Sequence, residues 1–126
     1  MFAFGCFLSL LLCGCASTDA DDLPLVGKTY KLLSAKGYYA TITFNKDKTV
    51  NGFSGVNRFF GEFRTAGDNI VFDRMGSTKM AGHPEAMKFE DRFINALSRA
   101  NRFYEIGRNL TFFNGDIPLI TLKIAE

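Results

Sequence analysis

One histidine, three cysteines crowded into the first fifteen residues, and two short polar runs, Asn57-Arg58 and Thr78-Lys79, are the groups of this 126-residue chain that could do chemistry. A nucleophilic mechanism needs a Ser, Cys or Thr beside a base that a third group orients. His83, the sole histidine, precedes Pro84 and reads as a helix-capping or surface residue rather than a base. Ser77-Thr78-Lys79 sets hydroxyls close to a lysine without the spacing of a Ser-Lys hydrolase. Glu85, Glu90 and Asp91 read as partners of a helix dipole, not as a metal-ligand cluster. No cofactor motif is present, and no catalytic residue and no bound metal are expected. Binding is the chemistry that remains. Arg58 can grip an anion bidentately and Lys79 can act as a point charge; with Asn57 and Thr78 on the same rim they would hold an acidic head group or a peptide carboxylate.

The elements that must position these residues show in the hydrophobic period. Lys28 to Ala35 reads as a first strand, and Tyr39 to Asn45 alternates Ala40, Ile42 and Phe44 against polar neighbours, the period of two that marks a strand. Thr49 to Ser54 and Val56 to Thr65 follow, and Gly67-Asp68-Asn69 turns the chain into a strand over Asn69 to Arg74. From Met75 to His83 no apolar period is visible. Pro84 then suits the first turn of a helix, and Ala86, Phe89, Phe93, Ala96, Leu97 and Ala100 recur at spacings of three and four, one apolar stripe for a sheet to receive. After Asn101 the period returns to two over Arg102 to Ile106, Leu110 to Phe113 and Ile117 to Ile124, with Asn114-Gly115 a strong hairpin signal. The expected class is α+β: an antiparallel, mostly β domain over residues 24–126 with one helix packed against it.

The first 23 residues read differently. Phe7 to Leu12 is apolar but far shorter than the roughly 20 residues a membrane-spanning helix needs. It ends in Leu12-Cys13-Gly14-Cys15, which resembles a bacterial lipobox: residues 1–15 form an export signal, and Cys15 is the residue expected to carry lipid. A multiply acylated cysteine passes the two-signal threshold for stable anchoring, at about 0.8 kcal/mol per buried methylene. Ala16 to Leu23, with Asp19, Asp21 and Asp22, reads as a flexible acidic tether. Ala16 and Ser17 after the cysteine fit an outer-membrane destination, lipid-anchored on the periplasmic face. With every cysteine inside this segment, the domain itself has none to form a disulfide.

The formal charge of +2 hides an asymmetry. All 15 Lys and Arg lie beyond the tether, and three of the 13 acids lie within it, so the domain carries a clear basic excess. Such a surface favours anionic lipid or an acidic protein partner; no basic cluster with interleaved stacking aromatics suggests nucleic acid. A monomer is expected.

Two local sequences carry a family resemblance: Gly55-Val56-Asn57-Arg58-Phe59-Phe60-Gly61-Glu62-Phe63, and Ser77-Thr78-Lys79-Met80-Ala81 just ahead of a Pro-initiated helix. Together they resemble the META domain of HslJ-like envelope lipoproteins. The resemblance implies a strongly curved antiparallel sheet or cracked β-barrel with one helix, similar to that of a type III secretion pilot lipoprotein. It links the chain in general terms to heat response, antibiotic tolerance and motility or virulence, without an agreed biochemical activity. Many members have cysteines where this chain has Val56 and Gly82, so a family disulfide is not inherited.

The motif residues also admit a purely structural reading. Gly55 and Gly61 would supply positive φ or a bulge, Asn57 would bond a neighbouring turn, Phe59 and Phe63 would point inward on alternate pleats, and Met80 would complete the scaffold. Two function classes stand side by side. One is an interaction module for an envelope protein or secretion component, with a packed interior; the other is a carrier of lipid or a small hydrophobic ligand, with the Phe-rich interior left partly open. Whether Phe44, Phe53, Phe59, Phe72 and Phe93 fill the space between sheet and helix separates them.

Overall fold

Alternating burial builds the strands. In the computed structural model, which describes residues 24–125, β2 (Tyr39–Phe44) buries Ala40, Ile42 and Phe44 and turns the residues between them outward. The same rule places Tyr30 inside from β1 (Thr29–Leu33), Val50 from β3 (Thr49–Phe53) and Phe59 and Phe63 from β4 (Arg58–Ala66). Further along, it places Ile70 inside from β5 (Asn69–Ser77), Phe103 from β6 (Arg102–Ile106), Leu110 and Phe112 from β7 (Asn109–Asn114) and Leu122 from β8 (Ile117–Ile124). The expected lipidation site Cys15, and the signal and tether read from the sequence, lie outside the described residues.

All eight strands pair antiparallel with their sequence neighbours, and β8 returns to β1, so the sheet forms a ring. The ring is uneven. The hairpins are zipped along most of their length, whereas β5 pairs with β6 at Asn69 and Arg102 between two flanking backbone bonds, Ile70 N–H to the Asn101 carbonyl and Phe103 N–H to the Asp68 carbonyl. Strand β1 pairs with β8 through Tyr30 with Ile124 and Lys31 with Lys123, extended by the Ala125 N–H donating to the Thr29 carbonyl at 2.8 Å. The curved antiparallel sheet with one helix expected from the sequence is the architecture observed.

Strand β5 runs three residues further than its hydrophobic period suggests, through Met75, Gly76 and Ser77. The reason is a bulge. Phe60 pairs with Gly76 and Glu62 with Asp73, so Arg74 and Met75 together oppose the single residue Gly61, and Arg74 takes a left-handed φ of 54°. That extra residue breaks the alternation on which the sequence reading relied. Gly61 has no room for a side chain: a Cβ there would lie 2.2 Å from the Met75 sulfur.

The helix α1 (Pro84–Arg99) links β5 to β6. Pro84 opens it and the His83 imidazole caps it, Nδ1 accepting from the Glu85 N–H at 3.1 Å. Its stripe of Ala86, Phe89, Phe93, Ala96 and Leu97 is buried as the spacing predicts, and so is Glu90. Phe93 meets Phe59 edge-on at 5.7 Å, while Phe44 and Phe63 at 5.1 Å and Phe72 and Phe112 at 5.5 Å continue the aromatic network across the ring. The buried apolar residues form one contiguous cluster. Of the five phenylalanines set as a test of packing, Phe44, Phe59 and Phe93 are fully inside and Phe72 packs against the cluster. Phe53 lies on the outer face, stacked on Tyr39 at 5.0 Å. Each buried Phe contributes about 1.5–3 kcal/mol of transfer free energy, and Phe93 and Phe89 draw the helix against the ring.

Candidate functional site

Three segments meet at one end of the helix: the β3–β4 connection carrying Ser54 to Asn57, the β5–α1 connection carrying Thr78 to His83, and the second turn of α1. Their meeting point is the Glu90 carboxylate, which is 9% exposed. Oε1 accepts from the Ser54 hydroxyl at 2.7 Å and from the backbone N–H groups of Asn57 at 2.7 Å and Val56 at 3.2 Å. Oε2 accepts from the Asn57 carboxamide at 2.9 Å. Burial by itself would push this carboxyl up, but the hydrogen bonds from Asn57, Ser54 and Val56 outweigh it and hold Glu90 below the ordinary glutamate range. No described cation forms an ion pair with it. This buried charge is held by neutral donors.

Asn57, 4% exposed, is the hinge of the arrangement. Its Oδ1 accepts from the Thr78 hydroxyl at 2.8 Å and the Met80 N–H at 2.6 Å, and its Nδ2 donates to the Met80 carbonyl at 3.1 Å and to Glu90. A carboxamide offers two donor hydrogens and two acceptor lone pairs, and the protein uses all four. The geometry gives Asn57 the scaffold part of its two sequence readings and leaves it no capacity for a ligand. Thr78 is likewise engaged, its Oγ1 also accepting from the Arg58 N–H at 3.2 Å. Gly55 sits at φ 112° beneath the helix, where a Cβ would lie 2.9 Å from the Phe89 ring. Met80 is held by its backbone while its side chain is exposed.

A cleft of about 370 Å³ opens beside this node, lined by Thr78, Lys79, Met80, Met87, Asp91 and Ile94 among others, with Asn57 and Glu90 in its wall. The structure therefore brings Asn57, Thr78 and Lys79 to one cleft. Arg58 stands next to it: its backbone pairs with Thr78 on the adjoining outer face. Arg58 and Lys79 are both exposed, and neither forms an ion pair with a described residue.

The sequence reading missed Glu90, taking it for a dipole partner. A signal was present: Glu90 stands four residues after Ala86, three before Phe93 and seven before Leu97, which are positions of the apolar stripe itself. An acid on a buried stripe demands partners. A second, partly buried polar node is also absent from the sequence reading. The Tyr30 hydroxyl donates to Glu105 Oε2, which also receives Lys28 Nζ at 2.9 Å, joining β1 to β6 across the ring. Burial first, then the hydrogen bond and the charge of Glu105, push the Tyr30 phenol far above its ordinary value.

Val56 and Gly82, the positions at which cysteines are missing, are neighbours. A Cβ built on Gly82 would lie 3.5 Å from the Val56 Cβ and 2.9 Å from one of its methyl groups, so valine fills the space over glycine.

The fold matches solved structures. An NMR structure of a protein from Burkholderia xenovorans is similar with a TM-score of 0.66 and 21% identity, over 80% of this chain and 83% of that one. A second protein solved by NMR has a TM-score of 0.62 and 18% identity, over 83% and 93% of the two chains. A DUF4847 family protein from Bacteroides vulgatus overlaps less, with a TM-score of 0.47 and 20% identity over 68% and 57%. No curated protein matches the sequence. The family model of the META domain matches residues 24–125. That match spans all eight strands, the helix and both connections that enclose Glu90, and the chain belongs to the META domain family.

Proposed function

We propose that this protein is a non-catalytic interaction module of the bacterial envelope, held on the outer membrane through a lipidated Cys15. Its Arg58–Lys79 rim receives an acidic partner, an envelope protein or secretion component, in keeping with the stress, tolerance and secretion roles that the resemblance implies. One observation carries this reading: Asn57 and Thr78 of the motif are spent on its own scaffold, whereas Arg58 and Lys79, next to them in sequence, are exposed and without acidic partners among the described residues. The contiguous apolar cluster supports it as well, since a domain this small needs most of its apolar groups for its own core.

The test places a photo-crosslinking residue at Met80, whose exposed side chain lines the same cleft as Lys79, in the full-length chain in living cells. A discrete cross-linked product that disappears in the Arg58→Ala background is expected. The Cys15→Ser variant should leave the membrane fraction. A lipid or fatty-acid adduct on the purified protein in native mass spectrometry would instead establish the carrier reading.

A further inference from the structure

The seam between β1 and β8 is zipped at one end only. After Lys31 pairs with Lys123 the ladder stops, although β1 continues to Leu33 and β8 reaches back to Ile117. Continuing the register would set Leu32 against Leu122 and Leu33 against Thr121, and neither pair forms. On their other sides both strands are engaged, Leu33 with Tyr39 of β2 and Thr121 with Thr111 of β7. Backbone groups of successive strand residues face alternate neighbours, so Leu33 faces the same side as Lys31, and Thr121 the same side as Lys123. Two strand edges therefore look at each other across a wedge with ladder groups unused. The wedge encloses about 530 Å³ and is lined by Lys31, Leu32, Leu33, Thr121, Lys123 and Ile124. That is roomier than the rim cleft and within the usual range of binding pockets, roughly 300–1,000 Å³.

Charge indicates what the wedge accepts. Lys31 and Lys123 stand directly opposite each other at its mouth, and like charges in register across a sheet are destabilising. Lys31 lies 5.0 Å above the Tyr39 ring, and neither lysine has an ion pair with a described acid. Leu33, at the open end, is 64% exposed. An anion between the lysines and an apolar group over Leu33 would complete the seam, while an added strand would satisfy the free edges.

We infer that the β1–β8 wedge is a strand-addition site for an extended acidic segment of a partner protein. The incoming backbone pairs with the Leu33 and Thr121 edges, a carboxylate settles between Lys31 and Lys123, and an apolar side chain covers Leu33. Main-chain hydrogen bonds provide affinity in this mode, and the alternating side chains provide selectivity. Pro118, which lacks an N–H, limits the β8 edge at its far end. The site is distinct from the Arg58–Lys79 rim.

The probe is a short fluorescein-labelled peptide of alternating valine and glutamate, titrated into the full-length chain carrying Cys15→Ser, with anisotropy and amide hydrogen exchange as readouts. Saturable binding is expected, together with slowed exchange at the Leu33 and Thr121 amides. A valine–glutamine peptide, and the Lys31→Gln/Lys123→Gln variant with the glutamate peptide, should each bind at least about tenfold more weakly. Lys46→Gln/Lys88→Gln, which removes the same charge from exposed positions elsewhere, should bind unchanged. Equal affinity for the glutamine peptide, absence of binding, or an equal loss of binding in Lys46→Gln/Lys88→Gln would overturn the proposal. So would Leu33 and Thr121 amides already protected in the free protein, which would mean that the wedge is closed or filled without a partner.

Discussion

The node around Glu90 and the seam between β1 and β8 are opposite solutions to the same problem. Both bring charged side chains together where the chain closes on itself. At the node the carboxylate is buried, and three neutral residues supply its hydrogen bonds. At the seam two lysines face each other in register, and the ladder beyond them stays open. The contrast separates architecture from availability: Asn57 and Thr78 of the family motif are consumed in holding two connections to the helix, and the groups left over are Arg58 and Lys79 of the same motif and those at the unzipped seam. Buried polar groups paired in full fix a geometry, and unpaired edges invite a partner.

The largest effect that can break this contrast is removal of the acceptor at the node. Glu90→Leu leaves the backbone N–H groups of Val56 and Asn57 without an acceptor, takes one of two acceptors from the Asn57 carboxamide, and leaves the Ser54 hydroxyl only the Asn57 carbonyl at 2.9 Å. Urea denaturation should register a loss of about 3–4 kcal/mol. A result under about 1 kcal/mol would make the node incidental.

Next in size is a gain at the same place. The Cβ separation of 3.5 Å between Val56 and a side chain at position 82 lies at the short end of disulfide geometry, roughly 3.5–4.5 Å. Val56→Cys/Gly82→Cys should therefore oxidise to a bridge tying the two connections together. Its thermal melt should show a gain of about 2–3 kcal/mol relative to its reduced form.

Acid should weaken the node more gently. Because the folded-state pKa of Glu90 lies below its ordinary value, its contribution is complete above the ordinary glutamate range. It is lost as the pH falls through that range toward the depressed folded value. The acid limb of a stability-versus-pH curve should be shallower in Glu90→Gln than in the parent protein. The smallest change is expected at the rim. Arg58→Ala and Lys79→Ala should each shift stability by no more than about 0.5 kcal/mol in either direction, while abolishing the cross-link of the parent protein. A larger loss of stability would move these cations from the available set to the architectural one.

Much of this was legible in the sequence because it is local. The stripe from Ala86 to Ala100, the inward Phe59 and Phe63, the cap at His83 and the turn at Asn114-Gly115 each declare themselves within a few residues. Where the reading fell short, the cause was non-local. Met75 to Ser77 lost their strand period to a bulge opposite Gly61 on the neighbouring strand. Glu90 finds its donors 33 to 36 residues away, and nothing in its own helix names them. Tyr30 and Glu105 are 75 residues apart, and the halted ladder at Lys31 and Lys123 follows from how the ring closes. For Asn57, the sequence favoured a scaffold role over a ligand role, and its four hydrogen bonds within the protein fit the first.

Asn57 acts through Glu90, and a double-mutant cycle measures that coupling. Asn57→Ala, Glu90→Ala and the double variant would be compared by urea denaturation. The account predicts a coupling energy of about 1 kcal/mol or more, with Asn57→Ala costing much less once Glu90 is gone. Additive losses would contradict it and return Asn57 to the pool of residues free to meet a partner.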